Sequence, residues 1–119
     1  MGQIMIHNTR GKEDAERTSL ALLVGNTALS SGQEATLLLT LEGVRVATKG
    51  YTEGVQAQEF PPLKDLIQQF TSRGGKIWVC GACAKPRQIT QEHLVEGAQI
   101  IGAATAVEAM VNGAQTLSF

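Results

Sequence analysis

The chain has 119 residues, 43% of them hydrophobic, and a formal net charge of −1 from ten basic and eleven acidic side chains. That length suits one domain over residues 1–119, and the even charge, with no concentrated basic face, excludes the electrostatics that hold nucleic acid. No apolar run approaches the roughly 20 residues that span a bilayer, and no charged-then-apolar signal pattern opens the chain, so the expectation is a cytoplasmic protein with no membrane partner.

Gln3-Ile4-Met5-Ile6-His7 is short, apolar and flanked by polar residues, the pattern of a buried strand. Glu13, Asp14 and Glu16 then place negative charge where a helix begins, and Leu20, Leu23, Val24 and Ala28 recur at helical spacing until Gly32. Ala35-Thr36-Leu37-Leu38-Leu39-Thr40 is a near-continuous apolar run, as in a strand covered on both faces. Val44, Val46 and Ala47 suit one or two helical turns, and Gly50 to Phe60 reads as a loop.

Pro61-Pro62 opens a helix whose apolar face is Leu63, Leu66, Ile67 and Phe70, closed by Gly74-Gly75. Lys76 to Cys80 is a third strand. Thr90 caps a short helix carrying Glu92, His93 and Leu94, and Ala98 to Ile101 is a fourth strand. An Ala-rich helix follows, with Ala103, Ala106, Val107 and Met110 expected inward, then Asn112-Gly113 and a last strand from Gln115 to Phe119. Alternation of this kind specifies an α/β domain with a five-stranded, mainly parallel sheet and helices on both faces.

Parallel strands deliver their carboxyl ends to one edge, where ligands gather. The reactive side chains expected there are His7, Asn8, Glu42 and Cys80, while Gly102 offers room. Cys80 sits in Val79-Cys80-Gly81-Ala82-Cys83-Ala84-Lys85-Pro86-Arg87. A thiol at a strand end, followed by the Gly81 turn, can present sulfur beside backbone N–H groups. Lys85 and Arg87 are close in sequence, and positive charge favours the thiolate, which is the nucleophile. Cys80 and Cys83 form a Cys-x-x-Cys, but the third-strand position and the absence of a later proline at a suitable place argue against a thioredoxin fold. The spacing leaves a reversible disulfide open. Buried cysteine is also a common small hydrophobe, so an inert Cys80 or Cys83 is the competing account.

No metal or cofactor is implied. Beyond the two cysteines only His7 and His93 are available, at no recognisable ligand spacing. Dinucleotide-binding, phosphate-loop and serine-elbow motifs are absent. Glu42 suits a cap or ion pair better than catalysis.

In order and spacing, these features resemble the DsrE/DsrF-like family over essentially the whole length. The markers are Glu13 to Arg17 at the first helix, Gly43-Val44 and Gly50 after the second strand, and Val79-Cys80-Gly81-Ala82-Cys83 with Arg87 and Ile89-Thr90. Ala114 to Phe119 completes the set. The resemblance implies a three-layer α/β/α fold and assembly into homotrimers or hexamers. It also implies that a cysteine in the position of Cys80 carries sulfane sulfur as a persulfide between donor and acceptor proteins, the arginine at Arg87 matching as well. Gln88 stands where those proteins usually have glycine. The expected function is therefore a sulfur carrier or sulfurtransferase acting through Cys80, with Cys83 as resolving or second carrier thiol. Lys85 and Arg87 would stabilise thiolate, and His7, Asn8, Glu42, Gly81 and Lys85 would line the substrate crevice. The alternative is a non-catalytic, homo-oligomeric protein of the same fold that binds a small ligand or senses redox state through the cysteine pair.

Overall fold

The computed structural model describes residues 2–119. Five strands, β1 (Gln3–Asn8), β2 (Glu34–Leu39), β3 (Lys76–Cys80), β4 (Ala98–Ile101) and β5 (Gln115–Ser118), form one sheet in the order β4-β3-β2-β1-β5. Every pairing is parallel. Four helices connect them: α1 (Ala15–Ser30), α2 (Leu63–Ser72), α3 (Gly81–Ala84) and α4 (Ala103–Val111). No helix among the described residues is long and apolar enough to cross a membrane.

The first four strands march in one direction, so right-handed crossovers keep their connections on one face of the sheet. The core lies there. Ile6, Leu37, Leu39, Ile77 and Val79 of the strands meet Leu22 of α1 and Leu63, Leu66, Ile67 and Phe70 of α2. Between β2 and α2, a 3-10 run over Leu41–Ala47 adds Val44, Val46 and Ala47 to the same cluster. Each such aliphatic side chain, fully buried, contributes about 1.5–3 kcal/mol. The α2 face is the one its periodicity predicts.

The buried face of α1 is not. Leu20 and Leu23 are exposed, while Thr18, Ser19, Ala21, Leu22, Gly25 and Asn26 point inward. Close approach of α2 explains the choice, since a Cβ on Gly25 would stand 2.9 Å from Cε1 of Phe70. Two polar residues on this face find backbone partners: Thr18 donates to the carbonyl oxygens of Arg10 and Gly11, and Asn26 Nδ2 donates to Leu66 O at 3.1 Å, while Ser19 Oγ and Asn26 Oδ1 have no partner among the described residues.

From β4 the chain returns past the whole sheet to β5 at the opposite edge. A right-handed crossover in that reversed direction puts α4 on the other face, completing three layers. With no second helix beside it, α4 buries none of its residues, and Val107, Met110 and Val111 are exposed. The inward placement of Ala103, Val107 and Met110 is thus corrected, while Ala106 is half-buried together with Ala109.

Gly43 allows the loop after β2 to lie on the end of β1. A Cβ there would stand 2.4 Å from Asn8 O and 3.2 Å from Asn8 C and Thr9 C, all backbone atoms that cannot turn away. Gly43→Ala should cost about 1–3 kcal/mol in urea unfolding, the range for forced overpacking. An unchanged midpoint would mean that the two loops are not held together this tightly.

Candidate functional site

In an open parallel sheet, a crevice opens where neighbouring strands send their connections to opposite faces. Here that point lies between β3 and β4. From β3 the chain enters α3, whose Ala84 joins the core cluster, whereas β4 leads through Gly102 into α4 on the far face. Cys80 pairs with Ile101 at this fork. A Cβ on Gly102, the residue after that pair, would meet nothing within 4 Å. Cys80 is half-buried, and both cysteines are free.

The residues after Cys80 are helical rather than an open glycine turn. Cys80 is the residue preceding α3, and Cys83 lies on that single turn, which continues as a 3-10 turn over Lys85–Arg87. Gly81 packs tightly, with its Cβ position 3.3 Å from Ile101 O. Gln88 ends the turn with φ 58° and ψ 35°. The left-handed conformation that glycine would adopt freely is therefore kept with a side chain in place, at some strain. Leu41, opening the loop after β2, is also left-handed, with φ 53°.

The cations are placed differently from expectation. Arg87 Nε donates to Glu42 Oε1 at 2.9 Å, and its Nη1 donates to the carbonyl oxygen of Cys83 at 3.0 Å. Arg45 Nε donates to the second oxygen of the same carboxylate at 2.8 Å. Arg87 is thus bound to Glu42 and to the α3 backbone, and its assigned role beside the thiolate is replaced by that of a clamp. Lys85 is exposed and, among the described residues, has no ion-pair partner. Glu42 is held below its ordinary pKa first by the Arg87 hydrogen bond, opposed by partial burial, and further by the hydrogen bond and charge of Arg45.

His7 is half-buried near the carboxyl end of β1. Its Nδ1 is 3.1 Å from Ser118 Oγ and its Nε2 is 2.8 Å from Thr40 Oγ1. Burial lowers its pKa from the ordinary 6.5. Asn8 does not line the crevice. It is fully buried on the core face, where Nδ2 donates to Arg10 O at 2.8 Å and holds the turn after β1. The structure therefore gathers Cys80, Cys83, Gly81, Arg87 and Glu42 around one turn, sets His7 farther along the same edge, and removes Asn8. Sequence reading missed Arg45, Thr40 and Ser118. Only the i, i+3 spacing of Glu42 and Arg45 signals any of them.

The family model for the DsrE/DsrF-like family matches residues 2–119. An uncharacterised protein of Methanocaldococcus jannaschii is 35% identical over 103 residues, covering 87% of this chain but only 38% of that protein's length. Two solved structures align over the full length of both chains. The ychN protein from E. coli has a TM-score of 0.84 at 17% identity, and a protein of unknown function from Methanobacterium thermoautotrophicum has 0.80 at 13%. At such identities the likeness establishes the fold alone.

A carboxyl whose folded pKa is depressed contributes stability above its unfolded pKa and loses it as pH falls through the folded value. The stability gap between wild type and Glu42→Gln should be about 0.5–1 kcal/mol at neutral pH, since the carboxylate is partly exposed and screened. It should close as pH drops below the ordinary 4.5. Urea unfolding of both proteins across this range tests the ion-pair account, which a gap independent of pH would remove.

Proposed function

The chain belongs to the DsrE/DsrF-like family, and on that premise we propose that it is a sulfur carrier in which Cys80 holds sulfane sulfur as a persulfide. The observation that carries this reading is the position of Cys80 at the fork between β3 and β4, half-buried and free. In the loading step, Cys80 thiolate attacks the sulfane sulfur of a donor such as thiosulfate. The donor's S–S bond breaks, its electron pair leaves with sulfite, and the new S–S bond makes Cys80 persulfide. In the unloading step, an acceptor thiolate attacks the outer sulfur, and Cys80 leaves as thiolate. Donor and acceptor are proteins or small thiols that reach the crevice.

Cys83 supplies a second outcome. Its thiolate can attack the inner sulfur of the persulfide, expelling hydrosulfide and leaving a Cys80–Cys83 disulfide. The placement of Cys83 three residues on, within the α3 turn, favours this resolving role. The same pair could cycle as a redox sensor under an oxidant, and that is the second reading. In either case Arg87 and Glu42 act by holding the turn that carries Cys83. A reducing, cytoplasmic compartment suits both readings, because it keeps the two thiols available.

We further propose that the protein is a homo-oligomer, a trimer or hexamer. Support comes from α4, which leaves Val107, Met110 and Val111 exposed on a helix whose only charged residue is Glu108. Apolar side chains grouped in this way are typical of covered surfaces.

Incubation with thiosulfate or polysulfide followed by intact mass should add about 32 Da, one sulfur, to wild type and nothing to Cys80→Ser. An unmodified wild type, or equal addition to the variant, removes the carrier reading. A loss of about 2 Da under mild oxidant with no sulfur uptake would favour the sensor instead. Light scattering should give a mass well above that of one chain, falling to one chain in Val107→Glu/Val111→Glu. A monomeric wild type would reject assembly.

A further inference from the structure

The two edges of the sheet differ. Along β4 the carboxamide of Gln91 lies against the strand, Nε2 donating to Ala98 O at 2.8 Å and Oε1 accepting from the Ile100 N–H at 3.0 Å. Gly97 O bonds Ile77 N of β3, and alternate residues turn opposite ways, so Ala98 and Ile100 face outward. One side chain thus takes the places that an added strand would use. The β5 edge is open. Phe119 N donates to His7 O at 2.7 Å and Phe119 O accepts from Thr9 N at 3.1 Å. By the same alternation Thr116 and Ser118 turn their N–H and C=O groups away from β1. All four residues of β5 are exposed, and none is a charged residue or a proline, the common means of blunting an edge.

Apolar side chains flank this open edge. The large hydrophobic side chains exposed among the described residues, Leu41 apart, are Leu20 and Leu23 of α1, Val107, Met110 and Val111 of α4, and Leu117 of β5 itself. Leu20 shares a groove with Ser118 and Phe119, and α4 ends at Val111, just before β5 begins at Gln115.

We propose that a second copy of this chain binds along β5, the two β5 strands pairing antiparallel across a two-fold axis to make one continuous sheet. Thr116 exchanges both backbone bonds with Ser118 of the second copy, and Leu117 stands opposite Leu117 at the axis, in the close kind of pair that lacks hydrogen bonds. An axis perpendicular to the sheet keeps like faces together. Leu20 and Leu23 of both copies then lie on one side of the joint, and both α4 stripes on the other.

Two observations select a second copy as the occupant. Gln91 closes β4, so of the pairings that two copies can make at their sheet edges only β5 with β5 remains, and that contact closes instead of growing into a fibre. Charge at the joint suits identical surfaces: β5 has none and α4 has only Glu108. Glu16 and Arg17 lie toward Ser118 and Phe119, the end of β5 that an antiparallel pairing carries to opposite ends of the joint. The inference rests on the assembly reading above and specifies its two-fold contact, which a hexamer of two trimers contains and a lone trimer lacks.

Light scattering should find an even number of copies in wild type. Leu117→Lys and Leu117→Glu, each setting like charges face to face, should each halve that mass, and mixing the two variants should restore it. In a Cys80→Ser/Cys83→Ser background, mild oxidation of Leu117→Cys should link two chains, because the facing Cα atoms stand about 4.5 Å apart. Gln115→Cys, set well away from its own copy, should link at least about tenfold more slowly. If the charged variants do not fold, the cysteine pair decides. A trimeric wild type, an assembled wild type whose mass Leu117→Lys leaves unchanged, or equal linking of the two cysteine variants overturns the β5 contact and leaves assembly standing. A monomeric wild type rejects both.

Discussion

The right hand of parallel crossovers is the constraint from which the site follows. Three connections in one direction, β1 to β2 to β3 to β4, must lie on one face of the sheet, and the single return to β5 must lie on the other. The two regimes meet between β3 and β4, the one neighbouring pair among the described residues whose outgoing connections are seen to part in this way. Cys80 ends β3 at that junction. Its position as a candidate nucleophile is therefore a consequence of strand order, which no local feature of Val79-Cys80-Gly81 encodes.

A charge network stabilises what topology positions. Glu42 is held between Arg45 and Arg87, and Arg87 reaches on to the carbonyl of Cys83. The loop after β2 is thereby tied to the turn after β3, with Gly43 pressed against the end of β1 beneath it. Three strand ends are joined by a few short contacts. Strain is present in the same loops, with Leu41 and Gln88 both left-handed without glycine. Residues of that kind persist only where neighbours hold them, and they cluster at functional sites.

Much of the fold was legible because periodicity reports local burial. The apolar run of β2, the Leu63-Leu66-Ile67-Phe70 stripe and the bounds of β3 and β4 all appear as the residues imply. The departures have physical causes. In α1 Leu20 and Leu23 lie outward because Gly25 accommodates the Phe70 ring and Asn26 reaches α2, so small and polar residues join Leu22 at the interface. In α4 an apolar composition does not mean burial, since the helix crosses its face without a neighbour. Asn8 is adjacent to His7 in sequence yet faces the opposite side of the sheet, because alternate strand residues diverge.

What the sequence by itself determined is the class of the domain, the five strands in order with the helices α1, α2 and α4, and the cysteine at the end of the third strand; α3 reads there as a turn, and the short helix expected after Thr90 is a 3-10 turn over Gln91–His93. Those features depend on neighbours a few residues apart. The tertiary structure alone decided which strand stands beside which, that Arg87 binds Glu42 rather than the thiol, and that Thr40 and Ser118 join His7. Each of these contacts spans tens of residues, from 33 between His7 and Thr40 to 111 between His7 and Ser118. Pairings so distant are set by crossover handedness and sheet register, properties of the folded chain that its local patterns do not carry.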